Sequence, residues 1–148
     1  MIKIKRVKVL SANVIASFAP HSAREWRLMR PLRRMFYNNS IGLYVLSDEQ
    51  NEPLCVISLC RYSFLGYGGE VVFLLCKKFH EKIFECMRFI QRCLRRVVKL
   101  WSVLCVRVEN GYAVGNRFIK HFKFKFVNLI SEPDGVDYRL YELRAEWL

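Results

Sequence analysis

Residues 70–108, EVVFLLCKKFHEKIFECMRFIQRCLRRVVKLWSVLCVRV, change their hydrophobic period twice, and that change decides the fold. Val71 to Cys76 is a short, nearly continuous apolar run, which reads as a central strand covered on both faces. From Lys78 to Leu100 the apolar residues Phe79, Ile83, Met87, Ile90, Leu94 and Val97 recur every three or four positions, with cations mostly between them. That spacing predicts one strongly amphipathic helix of about 23 residues, near 34 Å long by helical rise. Trp101 to Val108 then reads as a second buried strand.

Toward the N-terminus, GLYVLS (42–47), polar DEQNEP (48–53) and LCVISLCRYSF (54–64) form two β-rich runs around a turn, the pattern of a hairpin that GYGG at 66–69 closes. Alternation of Ile2, Ile4, Val7 and Val9 predicts a first strand with lysines on its wet side. Helical segments follow around Val14–Phe18 and Ala23–Tyr37, which Pro20 and Pro31 should break or open. Toward the C-terminus, ENGYAVGN (109–116) reads as a loop entering a short helix, RFIKHF (117–122). KFKFVNLI (123–130) resumes strand alternation, SEPDG (131–135) turns, and VDYRLYEL (136–143) is the last strand. The order is strand, helices, three strands, long helix, strand, short helix, two strands, which indicates an α/β (α+β) sheet with helices packed on it.

The chain has 148 residues, 53% of them hydrophobic, enough to bury a core within a single domain over residues 1–148. No apolar run approaches the roughly 20 residues that span a bilayer. The basic start MIKIKRVKVL suggests a signal peptide, but Lys8, Ser11 and Asn13 interrupt its apolar centre, and a first strand is the better reading. Six cysteines, at 55, 60, 76, 86, 93 and 105, all sit in apolar runs, without a CxxC pair or a histidine at ligand spacing. They read as free thiols in the core of an intracellular protein, and no metal site is expected. The formal charge is +12, and it is uneven: residues 1–35 carry nine basic and one acidic group, and residues 77–126 thirteen and three. An excess that large attracts polyanions without choosing among them.

The element order is also that of the GNAT N-acetyltransferase fold. The stretch from Gly69 to Phe126 resembles the degenerate GNAT-like proteins of tailed phages, including the small internal virion protein of short-tailed phages. The residues that carry the likeness are EVVFLL, the long basic helix, WSVLCVRVEN and NRFIKHFKFKF. Asn110 matches the family's Asn after a strand, Arg117, Phe118, Ile119 and Lys120 match its following helix, and Phe124 matches the Phe of a Gly-Phe pair. Lys123 stands where that pair has Gly. The resemblance implies a mixed, mostly antiparallel central sheet with helices on both faces.

It also implies chemistry that can be checked residue by residue. Active members hold the CoA pyrophosphate on backbone N–H groups in a glycine-containing turn between the fourth strand and the long helix. This chain has CKKFHEK there, with no glycine between Gly69 and Gly111. Lys77, Lys78 and Lys82 could attract phosphates only as point charges, with Asn110 as a further cofactor-side candidate. The tyrosine that often protonates the leaving thiolate falls near Ile119, which has no proton to give. Glu70 is a general base by position, against the plainer reading of a solvated carboxylate at the start of a strand, and Tyr112 is a reserve acid. Cys76 with His80 and Glu81 lacks a third orienting group, which argues against a nucleophile site.

Arg88, Arg92, Arg95, Arg96 and Lys99, with Lys78 and Lys82 near the helix start, are expected to form a cationic strip for a polyanion or partner. Arg24, Arg27, Arg30, Arg33 and Arg34 add a second basic stretch interleaved with Trp26, Met29 and Leu32. No RNP signature or zinc finger is present, so nucleic-acid binding would be non-specific and electrostatic. The leading expectation is a phage-encoded GNAT-fold protein without cofactor chemistry, acting by binding in virion assembly or as an internal virion component. Its partners would be phage structural proteins or an acidic protein, in the host cytoplasm or the virion. The alternatives are an active acyl-CoA-dependent N-acetyltransferase using acetyl-CoA, and an electrostatic nucleic-acid-binding protein.

Overall fold

The computed structural model describes residues 1–60, 68–133 and 135–148. The elements run β1 (Lys3–Arg6), α1 (Ala12–Ala16), α2 (Pro20–Leu28), α3 (Arg33–Asn39), β2 (Ser40–Ser47), β3 (Pro53–Cys60), β4 (Gly69–Leu75), α4 (Ile83–Trp101), β5 (Val103–Glu109), α5 (Ala113–His121), β6 (Lys125–Ser131) and β7 (Asp137–Arg144). Short 3-10 turns at Arg30–Leu32, Phe79–Lys82 and Ala145–Trp147 complete them. The strand order is β1-β2-β3-β4-β5-β7-β6, and the mixed sheet with its helices is the expected architecture. The expected RYSF continuation of the hairpin, the first half of GYGG, and Asp134 of the SEPDG turn lie outside the described residues.

The chain packs as two compact units, one of residues 1–61 and 71–92, the other of 62–70 and 93–148. In the first, β2 pairs antiparallel with β3, and β1 with β2. The hairpin turn is organised by Asp48, whose Oδ1 accepts the N–H groups of Gln50 and Glu52, both at 2.9 Å. Pro20 opens α2 at its first turn, where no donor is lost, and Ser11 caps α1 through its hydroxyl. The core of this unit gathers Val14, Phe18, Trp26, Phe36, Val45, Val56 and Leu74. In the second unit, β5 pairs antiparallel with β7 and β7 with β6, while Gly69 and Glu70 pair parallel with Leu104 and Cys105. Leu104, Ile119, Phe122, Leu140, Tyr141 and Leu143 are buried there.

Three expectations change. All four residues of β1 are exposed, Ile4 included, so this strand has no dry side and ends at Arg6. The long helix opens with a 3-10 turn, and only Ile83–Trp101 is α-helical; Ile83 is exposed, and the buried line runs through Cys86, Ile90, Leu94 and Val98 at i, i+4 spacing. The loop assigned to 109–116 is shorter, because α5 already begins at Ala113.

Lys123, in the family's glycine position, has φ of 73° just past the end of α5. Its N–H donates to the Lys120 carbonyl at 3.1 Å, closing the helix in the left-handed manner that glycine adopts without a Cβ penalty. Lys123→Gly should therefore raise stability by about 0.5–1 kcal/mol. A higher urea midpoint at unchanged slope, with no gain for Lys123→Ala, is the expected measurement.

Candidate functional site at the end of β4

The last residues of β4 are tied to the segment that joins α1 to α2. The Ala19 N–H donates to the Leu75 carbonyl at 2.9 Å, and the Leu75 N–H donates to the Ser22 hydroxyl at 2.8 Å. One step further, the Lys77 N–H donates to the Ser17 carbonyl at 2.9 Å, and Phe18 forms an antiparallel bridge with Cys76. The turn that follows closes on itself: the Phe79 N–H donates to Cys76 and the Glu81 N–H to Lys78. The N–H groups of Lys77, Phe79 and Glu81 are thus used within the protein and not offered to a pyrophosphate. The Phe79 side chain is buried beneath it. These residues do not fit a CoA pyrophosphate, since no glycine allows close backbone approach and three of the turn's donors are taken by the protein itself.

The candidate phosphate-binding lysines are separated by their partners. Lys78 Nζ lies 3.9 Å from Glu52 and Lys82 Nζ lies 3.9 Å from Glu85, while the main chain of exposed Lys77 bonds to the Ser17 carbonyl through its N–H and to the His80 ring through its carbonyl, both at 2.9 Å. Lys78 caps the 3-10 turn and Lys82 ends it, so both precede α4, the helix that carries the other five cations of the strip. Arg88, Arg92, Arg95, Arg96 and Lys99 are all exposed. At 100° per residue they fall within an arc of about 100° on the face opposite Cys86, Ile90, Leu94 and Val98.

Glu70 is not a solvated carboxylate. It is 6% exposed, and Arg107 Nε donates to its Oε1 at 2.7 Å while Arg107 Nη1 donates to Glu132 at 2.7 Å. Burial opposes the Arg107 charge, but the charges and hydrogen bonds of Glu70 and Glu132 outweigh it and raise its pKa. Glu70 on β4 and Arg107 on β5 come together because the parallel pairing sets Glu70 beside Cys105, two residues from Arg107. Sequence reading missed this triad, since nothing in the spacing links residues 70, 107 and 132.

Tyr112 is half-buried at the start of α5, its ring filling the space beside Gly115, where a Cβ would collide with it. Asn110 is exposed in the preceding turn and donates its N–H to the Asp137 carbonyl at 2.9 Å. The buried amide is Asn116. Its Nδ2 donates to the carbonyls of Glu109 and Tyr112, and its Oδ1 accepts from the buried Tyr141 hydroxyl at 2.6 Å. Asn116 thus fixes the turn that carries Asn110 and Tyr112, a role that a polar residue just after Gly115 could have signalled. Among the described residues no group of three His, Cys, Asp or Glu could hold a metal ion, and no helix is long and apolar enough to cross a membrane.

With the geometry in place, comparison with solved structures assigns the shape. The chain resembles a protein assigned as a phosphinothricin N-acetyltransferase (TM-score 0.69, 16% identity, 97% of this chain and 98% of that one). It also resembles a spermidine N-acetyltransferase SpeG chimera from Vibrio cholerae and hSSAT (TM-score 0.66, 10% identity, 99% and 97%). A third is an Acinetobacter baylyi ADP1 protein assigned as an acetyltransferase (TM-score 0.61, 12% identity, 97% and 93%). No family model and no curated protein sequence matches the chain. The protein has a GNAT-like fold.

None of the six cysteines is in a disulfide; Cys55, Cys76, Cys86 and Cys105 are buried and Cys60 and Cys93 half-buried. Burial pushes the Cys76 thiol up to about 11, against a smaller lowering by the Ser17 hydroxyl that donates to it. Burial likewise pushes Cys86 up to about 11 and Cys55 well above the ordinary thiol value. Disulfide-exchange labelling at neutral pH should therefore reach Cys60 and Cys93 first and the other four only on unfolding. Because these folded-state thiols hold their protons longer than unfolded ones, stability is intact below about pH 9 and falls as pH rises toward about 11. The drop in urea midpoint between pH 8 and pH 10 should shrink in Cys76→Ala.

Proposed function

We propose that this protein is a GNAT-fold binding protein without acyl-CoA chemistry. The observation that carries the reading is the closed turn after β4, whose donors at Lys77, Phe79 and Glu81 are spent on Ser17, Cys76 and Lys78. Glu70, the general base by position, is committed to Arg107, and the thiolate-protonating position falls at Ile119. The binding surface is the arginine face of α4, Arg88, Arg92, Arg95, Arg96 and Lys99, and its partner is a polyanion or an acidic protein. In the setting that the phage resemblance implies, that partner is a structural protein of the virion, met in the host cytoplasm or in the particle.

Isothermal titration tests the reading. Acetyl-CoA and CoA should bind more weakly than about 100 μM. A micromolar dissociation constant that persists at physiological salt would overturn the reading in favour of an acyl-CoA site with an unusual phosphate contact, and the alternative of an active N-acetyltransferase would then be tested by varying Glu70, Tyr112, Lys77, Lys78, Lys82 and Asn110 in a turnover assay.

The arginine face has its own expected outcome. Exposed charges of this kind contribute within about 0.5 kcal/mol each to folding, so an Arg92→Glu, Arg96→Glu variant should melt as the wild type does. Wild-type binding to duplex DNA, used as a model polyanion, should fall steeply between two salt concentrations and be lost in the variant. Equal binding by the two proteins would leave this face a solubilising surface.

A further inference from the structure

The first unit contains an open cleft of about 420 Å3 between α1, α2 and the residue after Cys76. Its lining includes Ile15, Phe18, Ala23 and Trp26, with the exposed cations Arg27 and Lys77 among them and no carboxylate. The volume lies within the roughly 300–1,000 Å3 of small-molecule sites, which characteristically join an apolar wall to a few placed polar groups.

The aromatic floor is held in place before any ligand arrives. Trp26 packs edge-on against Phe18, with centroids 6.2 Å apart, and against Phe36 at 5.8 Å. Arg33 lies 4.5 Å above the Trp26 ring and donates to its carbonyl at 2.8 Å. The charges nearby are sorted. Glu25 on the same helix is engaged by His21 at 2.8 Å, and Lys78 and Lys82 have Glu52 and Glu85 beside them. Among the described residues no carboxylate pairs with Arg27 or Lys77. The unit as a whole carries fifteen basic against six acidic side chains, so these two cations stand in a positive field.

We infer that this cleft binds a small amphipathic carboxylate, with its hydrocarbon body against Ile15, Pro20 and Ala23 above the buried Phe18 and Trp26 and its head between Arg27 and Lys77. Burial of the chain supplies the attraction and the two cations set the sign of the ligand's charge. The same two cations exclude an amine of equal length, whose ammonium head would be repelled and left without an acceptor.

Decanoate is the probe, titrated calorimetrically into the whole protein, with decylammonium and inorganic phosphate as controls. Decanoate should saturate with a dissociation constant below about 1 mM, at least about tenfold tighter than either control. The emission of Trp26, isolated in a Trp101→Phe, Trp147→Phe variant, should change along the same curve. Ala23→Phe fills the cleft and should weaken decanoate at least about tenfold, as should Arg27→Glu with Lys77→Glu, at an unchanged melting temperature. If Ala23→Phe does not fold, exposed Ala16→Phe serves in its place. Equal binding of decanoate and decylammonium, phosphate binding as tight as decanoate, an unchanged affinity in the cleft-filling variant, or no saturable heat would each overturn the assignment.

Discussion

Three hydrogen bonds between residues 17–22 and the end of β4 govern what the first unit can do. They join Ala19 to Leu75, Leu75 to the Ser22 hydroxyl, and Lys77 to Ser17. Buried main-chain groups must find partners, and at the end of a strand those partners are either another segment of the protein or a ligand. Here the α1–α2 connection takes that place. The same connection sets Phe18 and Trp26 into the core, aims Arg27 and Lys77 at one cleft, and draws the Cys76 thiol under Ser17. The closed turn and the open cleft are two results of one arrangement.

Much of the fold was legible because it depends on period. The run Val71–Cys76, the alternation on either side of DEQNEP and the three-to-four spacing beyond Phe79 each require one kind of backbone, and each formed as expected. The failures occur where period gives no information. Ile4 alternates with lysines as a buried residue would, but among the described residues nothing buries β1, and alternation cannot tell an edge strand from a covered one. Ile83 lies on the same helical face as Cys86, Ile90 and Leu94, yet as the first residue of α4 it is exposed, because period gives the face and not where along the helix the cover begins.

The candidate site was less legible because its decisive contacts are long-range or involve main chain. Lysines in place of glycines were visible at 77 and 78, and the structure adds that the N–H groups of Lys77, Phe79 and Glu81 are already engaged. Glu70 with Arg107 and Glu132 depends on strand pairing, and Asn116 with Tyr141 joins residues 25 apart through side-chain atoms. Neither contact follows from spacing along the chain. The fold itself tolerates such changes: Lys123 keeps a glycine-like backbone angle without being glycine, and a likeness of shape coexists with sequence identities of 10–16%.

At the far end of the strand order, β6 leaves Phe126, Val127 and Leu129 exposed, and among the described residues it pairs only with β7. A row of main-chain groups flanked by apolar side chains is adhesive toward a similar edge, here blunted in part by the irregularity between Phe126 and Asn128. What keeps such edges apart in dilute buffer is the mutual repulsion of molecules that each carry +12. Added salt shortens the reach of that repulsion to about 3 Å at 1 M while leaving the apolar attraction in place. The colloidal behaviour expected of this protein is therefore inverted relative to one held in solution by balanced charge: it should disperse at low ionic strength and associate as salt is raised.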